Sequence, residues 1–202
     1  QDRLDCRAAL ELPADCRVVL RVCRLWAQQR VERLIEALPA SLPDGTPVAA
    51  VIIGDGPERN RLERMAARLG KRVVFTGALH QSELALHYRA ADLYAATADR
   101  TNLTNSVLEA LCHGLPVLAL NMGGTGKVVR DGVNGCLLRW TGASGLEAAI
   151  TGLLSDQERL VRMSEGAQRV ASELIPVFAE RKRREAQAFQ LDQKLHGQTE
   201  TD

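Results

Sequence analysis

The chain has 202 residues, 46% of them hydrophobic, with 26 basic against 25 acidic side chains and a formal net charge of +1. That size and composition describe one globular domain or slightly more, with room for a sizeable core. The near-balance of charge removes the case for nucleic acid as a partner, and no apolar run approaches the roughly 18 residues of a membrane span.

No charged-then-apolar leader opens the sequence. The five cysteines, Cys6, Cys16, Cys23, Cys112 and Cys136, are odd in number and scattered, without a CxxC or a paired histidine. They read as buried free thiols of a reducing compartment, so a cytoplasmic location is expected. The first residue is Gln1 rather than Met, which leads us to expect a fragment or a processed product.

Residues 1–16 form a lead-in with a short helical pattern at Leu4, Ala8, Ala9 and Leu10. Val18–Val22 reads as a buried strand, with Arg24 at its carboxyl end and an amphipathic helix carrying Val31, Leu34, Ile35 and Leu38 after it. The continuous apolar run Val48–Ile53 is that of a strand covered on both faces. The turn Gly54-Asp55-Gly56-Pro57 leads into a helix with Leu62, Met65, Ala66 and Leu69. Strand Val73–Phe75, a helix from Ser82 (its expected cap) to Ala90, and strand Leu93–Ala96 follow. Next comes the stretch Asp99–Gly124: a polar cluster, the apolar helix Val107–Leu111, a break at His113-Gly114, and strand Pro116–Leu120. A helix near 126–131, strand Cys136–Leu138 and helices over 144–155 and 157–172 complete a domain spanning 17–172. A further helix over 173–191 and a polar tail over 192–202, expected to be disordered, close the chain.

Strand and helix alternate at spacings of about 20 to 25 residues, which calls for right-handed βαβ crossovers. The expected fold is α/β, a Rossmann-like parallel sheet with helices on both faces. Ligands of such sheets bind beyond the carboxyl ends of the strands. The loops there contain Cys23–Arg30, Gly54–Pro57, Gly77–Gln81, Ala98–Ser106 and Asn121–Gly126, which hold the distinctive polar and glycine residues of the chain.

Short polar side chains ahead of an apolar helix mark a helix N-terminus, whose free N–H groups and positive dipole end suit a phosphate. Thr101, Asn102, Thr104, Asn105 and Ser106 hold that position, and Glu109 lies within the first turns of the helix. Glu109 is flanked by core positions, where a carboxylate is paired or meets a ligand. Arg24 emerges at the ligand edge, where its planar fork suits a phosphate. Arg30 fits either a second phosphate clamp or a solvated helix face shared with Glu32, Arg33 and Glu36. His80, His87 and His113 read as caps or surface residues, and Trp26 as either ligand-facing or a rim residue. No Ser-His-Asp order, metal-ligand cluster or P-loop is present.

Taken in order, CRLWAQQRV, IIGDGPERNRLE, VVFTGALHQSEL, HYRAADLYAATAD, NLTNSVLEALCHGLPVLAL and NMGGTGKVVRDGVNGCLL resemble the C-terminal, donor-binding half of the family 4 retaining glycosyltransferases of the GT-B fold. The resemblance covers about residues 17–140. It implies transfer of a sugar from a nucleoside-diphosphate sugar to a glycan, lipid or small-molecule acceptor, with no metal or other cofactor. In the family the Arg and Lys after the first strand bind the diphosphate. Arg24 takes the Arg position, Gln29 stands where Lys is usual, and Arg30 follows it, so the diphosphate set is Arg24, Gln29, Arg30, Thr104, Asn105 and Ser106. Glu109 matches the second Glu of E-x7-E, which holds the donor ribose. The first Glu falls at Thr101, so Thr101, Asn102 and Leu103 are the implied sugar contacts. Leu79 and His80 occupy the loop that meets the base, and Lys127 stands where Glu is usual. The acceptor-binding N-terminal domain precedes this half in relatives; its absence here implies that the isolated chain binds nucleotide but transfers sugar poorly, with part of the catalytic set and any peripheral membrane contact in the missing half. The departures at Thr101, Gln29 and Lys127 also fit a non-catalytic nucleotide-binding or interaction module derived from such an enzyme.

Overall fold

A computed structural model describes residues 2–99, 105–122 and 124–197, with side chains as far as Val177. Six strands form one sheet: β1 (Arg17–Val22), β2 (Val48–Ile53), β3 (Val73–Gly77), β4 (Leu93–Ala96), β5 (Val117–Leu120) and β6 (Gly135–Leu138). Their spatial order is β3-β2-β1-β4-β5-β6 and every pairing is parallel. This is the strand order of doubly wound nucleotide-binding sheets, in which the winding reverses between the first and fourth strands. The expected α/β fold is therefore the one observed.

Helices cover both faces. α2 (Val31–Ala37), α3 (Arg59–Arg68) and α6 (Ala143–Ser155) lie on one; α4 (Gln81–Ala90), α5 (Asn105–Cys112) and α7 (Gln157–Gly197) pack on the other. All six residues of β2 are buried, as an apolar run covered on both sides requires. Val18, Leu20, Val51, Tyr94, Val117 and Ala119 pack under α4, α5 and α7. Val19, Ala50, Leu93 and Leu118 meet α2 and α6 on the other face. The alternation along each strand thus divides the core into two layers.

Four features differ from the sequence reading. The lead-in is part of the domain: α1 (Arg3–Ala9), the first helix of the chain, packs on α4. Asp92, 1% exposed at the start of β4, accepts Arg3 at 2.9 Å, Arg7 at 2.5 Å, Arg17 at 3.4 Å and the Val18 N–H at 2.7 Å. A buried carboxylate needs such partners, and sequence periodicity does not show which arginines supply them. α7 runs unbroken from Gln157 to Gly197, across the expected boundary at 172/173 and past residue 191. The helix expected near 126–131 is a single 3₁₀ turn, Thr125–Lys127. α4 is capped by His80, not Ser82.

Candidate functional site

A cleft of about 360 Å³ opens at the carboxyl edge of β1 and β2, next to the point where the winding reverses. Its wall is made by Val22, Cys23 and Arg24 after β1, Ile53, Gly54 and Asp55 after β2, Ala78, Leu79 and Leu84 from the β3–α4 segment, and Asn105, Ser106 and Glu109 of α5.

The Gly54-Asp55-Gly56-Pro57 turn fits against the Cys23–Leu25 backbone. Gly54 has φ +133° and a Cβ there would stand 1.9 Å from the Cys23 carbonyl oxygen; one on Gly56 would stand 2.5 Å from that of Leu25. Side chains are excluded at both places. Two backbone bonds then fasten the turns together, Leu25 N–H to Asp55 O at 2.9 Å and Glu58 N–H to Leu25 O at 3.1 Å. A tight turn that reads as a weak motif in sequence holds the Arg24 loop in place.

Across the cleft, α5 is described from Asn105 onward, and its first described residues, Asn105 and Ser106, line the cavity, where the positive end of the helix dipole lies. Two buried tyrosines fix its side chains. Tyr88 Oη donates to Glu109 Oε2 at 2.9 Å, with the Ser106 carbonyl oxygen further off at 3.3 Å. Tyr94 Oη lies 3.1 Å from Val22 O and 2.9 Å from Ser106 Oγ. The carbonyl only accepts, so Tyr94 donates to it and takes the Ser106 hydroxyl hydrogen in return. The Ser106 hydroxyl is thereby held by Tyr94. Burial pushes the Tyr88 phenol well up, with Tyr94 and Glu109 adding to it, and burial likewise raises Tyr94, so both remain protonated donors. His113 stacks on Tyr88 with ring centroids 5.4 Å apart. Burial, then Arg89, lowers its imidazole, which favours the neutral form. His113 closes α5 as the sequence reading expects, its backbone N–H meeting the Glu109 carbonyl at 3.1 Å, and its ring packs against Tyr88.

The expected site residues divide into three groups. Arg24, Asn105, Ser106, Glu109 and Leu79 line one cavity. Gln29, Arg30 and His80 do not line it. The Gln29 side chain accepts Arg21 Nη2 at 2.9 Å. Arg30 stands in the left-handed region at φ +50°, and its guanidinium pairs with Asp99 and, at 3.6 Å, with Glu32. Asp99 also holds Arg33 at 2.6 Å, while Arg33 lies over the Trp140 ring at 4.4 Å. The hydrogen bond from Arg30 holds the Asp99 carboxyl below its ordinary value against the opposing effect of burial, and Arg33 adds to the lowering. Asp99 is therefore committed to two arginines. His80 caps α4, its Nδ1 2.9 Å from Ser82 Oγ, while Glu83 accepts the His80 N–H at 2.8 Å. Thr101, Asn102, Leu103 and Thr104 lie outside the described residues. Lys127 is exposed on the 3₁₀ turn. Tyr88, Tyr94 and Arg21 were missed in sequence; a polar-headed or charged residue inside an otherwise apolar strand or helix face was the available signal.

A larger depression of about 570 Å³ lies on the outer faces of α2 and α3, lined by Glu36, Arg61, Arg64, Met65 and Arg68. It has no strand-end loop or helix N-terminus, and Arg61 is held by Glu58 and Glu32. The cleft at the strand ends instead gathers strand-end loops and the first residues of α5.

The family described as glycosyl transferases group 1 matches residues 2–170. The chain belongs to this family. Among curated group 1 relatives, the lipopolysaccharide core biosynthesis glycosyltransferase LpsE of Rhizobium meliloti is 33% identical over 161 residues, 79% of this chain and 46% of LpsE. The GDP-mannose-dependent alpha-(1-6)-phosphatidylinositol monomannoside mannosyltransferase of Mycolicibacterium smegmatis is 34% identical over 155 residues, 72% of this chain and 41% of that protein. Anabaena Alr3699/HepE, solved in complex with UDP-glucose, superposes with a TM-score of 0.76 at 29% identity, over 85% of this chain and 48% of its own. The chain thus spans less than half the length of these relatives. Among the described residues no helix is long and apolar enough to cross a membrane.

Proposed function

We propose that this group 1 glycosyltransferase chain is the donor-binding half of a retaining enzyme, and that its cleft holds a nucleoside-diphosphate sugar. The observation that carries the reading is the convergence of Arg24, the α5 N-terminus and the Tyr88-anchored Glu109 on one cavity at the winding reversal. Arg24 and the amides of Asn105 and Ser106 meet the diphosphate, Glu109 accepts the ribose hydroxyls, and Leu79 packs against the base. The relatives support a sugar nucleotide without agreeing on the base, since one is named for GDP-mannose and another is bound to UDP-glucose.

In this reading the bond between the anomeric carbon and the diphosphate oxygen breaks while charge grows on the departing nucleoside diphosphate. Preorganised donors at the helix start and Arg24 stabilise that charge. The acceptor oxygen then bonds the same face of the sugar and releases its proton, with no metal in the scheme. The acceptor, a glycan, a lipid or a small molecule, docks on an acceptor-binding N-terminal domain outside these 202 residues, which also makes any peripheral contact with the cytoplasmic face of a membrane. The Arg30–Asp99 pair favours one second reading, a nucleotide-binding module derived from such an enzyme, because it withholds a cation from the diphosphate.

The test is a thermal-shift panel with UDP, GDP, ADP and their sugar conjugates on the wild type and Glu109→Ala. A ligand at a hundredfold over its Kd adds about 2.7 kcal/mol to the folded state. A shift with one nucleotide that the variant loses supports the reading, and no shift with any of them overturns it. Sugar transfer by the chain joined to an acceptor domain separates the enzyme from the module.

A further inference from the structure

Two arginines are buried among the described residues, and they are treated differently. Arg7 meets the Asp92 carboxylate. Arg21, 2% exposed in β1, meets no carboxylate among the described residues. Its Nη1 donates to Ala95 O at 3.2 Å, its Nη2 to Gln29 Oε1 at 2.9 Å and Gln29 O at 3.4 Å, and its Nε reaches no acceptor. A buried guanidinium in neutral surroundings leaves its positive field uncancelled, an arrangement proteins otherwise avoid. The residues that follow it, Val22, Cys23 and Arg24, form the cleft wall. Its electrostatic neighbours, the Cys23 thiol and the Tyr94 phenol, belong to that wall or hold Ser106 on it.

Resting on the donor-binding reading, we propose that Arg21 is a built-in counter-charge for the diphosphate, a positioning and electrostatic residue beneath the cleft that need not touch the ligand. The guanidinium is pinned by Ala95 and Gln29, so its charge is fixed before the ligand arrives and acts through low-dielectric protein rather than water. The same geometry explains Gln29. Arg21 requires an acceptor at that position, which an amide oxygen provides, whereas an ammonium would place a second cation against it. Gln29 is then the partner of the buried cation, and the positive charge of this loop is carried by residue 21.

The experiment compares the whole 202-residue chain with Arg21→Met, Arg21→Gln and Arg21→Met/Gln29→Lys. UDP, GDP and ADP are titrated calorimetrically, and uridine, guanosine and adenosine by NMR, which reaches weak affinities. A neutral residue 21 lowers diphosphate affinity about tenfold while nucleoside affinity stays within about twofold, and the double variant, which moves the cation to position 29, recovers most of the loss. Arg21→Met fills the same volume with apolar atoms, and Arg21→Gln retains a hydrogen-bonding head, so a folding defect in one leaves the other as the probe. Equal loss for nucleoside and diphosphate assigns Arg21 a purely structural part and overturns the proposal, as does unchanged diphosphate affinity. A wild type that binds neither UDP, GDP nor ADP overturns the donor-binding reading itself, and the proposal with it.

Discussion

Replacing Tyr88 by Phe removes one hydroxyl and keeps the ring that stacks on His113 and lies 6.2 Å from Tyr94. The lost bond is the 2.9 Å contact to a half-buried carboxylate, in a phenol that burial keeps protonated. Hydrogen bonds to charged groups contribute about 1.5–3 kcal/mol, and the half-exposure of Glu109 lets water replace part of that, so about 1.5 kcal/mol is expected. For a domain of this size that lowers Tm by roughly 3–6 °C. The more telling effect is on recognition. Glu109 released from Tyr88 samples other rotamers, so the affinity for the preferred nucleoside diphosphate falls about fivefold, and the preference for ribose over 2′-deoxyribose falls with it. Calorimetric titration of both sugars into the wild type and the variant reads the two effects separately. A variant with a lowered Tm but an unchanged ribose preference would refute the assignment of Tyr88 to holding Glu109 for the ligand.

Asp92→Asn leaves Arg7 buried without its counter-charge, and urea unfolding is expected to show a loss of about 3–5 kcal/mol; deleting residues 1–11 removes Arg3 and Arg7 and destabilises the domain in the same assay. Gly54→Ala forces a Cβ against the Cys23 carbonyl at a positive φ, so a loss of about 2–4 kcal/mol is expected, together with weaker nucleotide binding because the Arg24 loop moves. Asp99 has its folded pKa below the unfolded value of about 3.9, so its ion pairs stabilise the fold fully above that value and are lost as pH falls through the folded pKa. The stability difference between the wild type and Asp99→Asn in urea titrations is therefore level from pH 5 to 8 and closes in acid. The same variant frees Arg30, and its affinity for nucleoside diphosphates rises if Arg30 can reach them.

The fold was readable because its strands are local apolar runs of four to six residues separated by amphipathic helices, and parallel crossovers leave few other ways to bury them. β2 and β4 appear where the runs place them, and the other strand ends move by one or two residues. The cleft was readable in part. Arg24, Ser106 and Glu109 are set by their places at strand and helix ends, which sequence spacing determines. What spacing does not determine is pairing across the sheet. Asp92 with Arg7, Arg21 with Gln29 and Asp99 with Arg30 join residues 85, 8 and 69 positions apart. Each pairing depends on side-chain reach in three dimensions. The two tyrosines were hidden for a related reason, since their rings fit the apolar pattern of the core and only the hydroxyls reach Glu109 and Ser106.

The most direct test of the account is NMR mapping of the cleft with the nucleoside diphosphate that gives the largest thermal shift. Amide signals of Cys23–Leu25, Gly54–Gly56, Leu79 and Asn105–Glu109 should move together on titration, and Glu109→Ala should abolish the response. Perturbations confined to Arg61, Arg64 and Arg68 on α3, or signals that do not move at all, would contradict the placement of the donor at the strand ends.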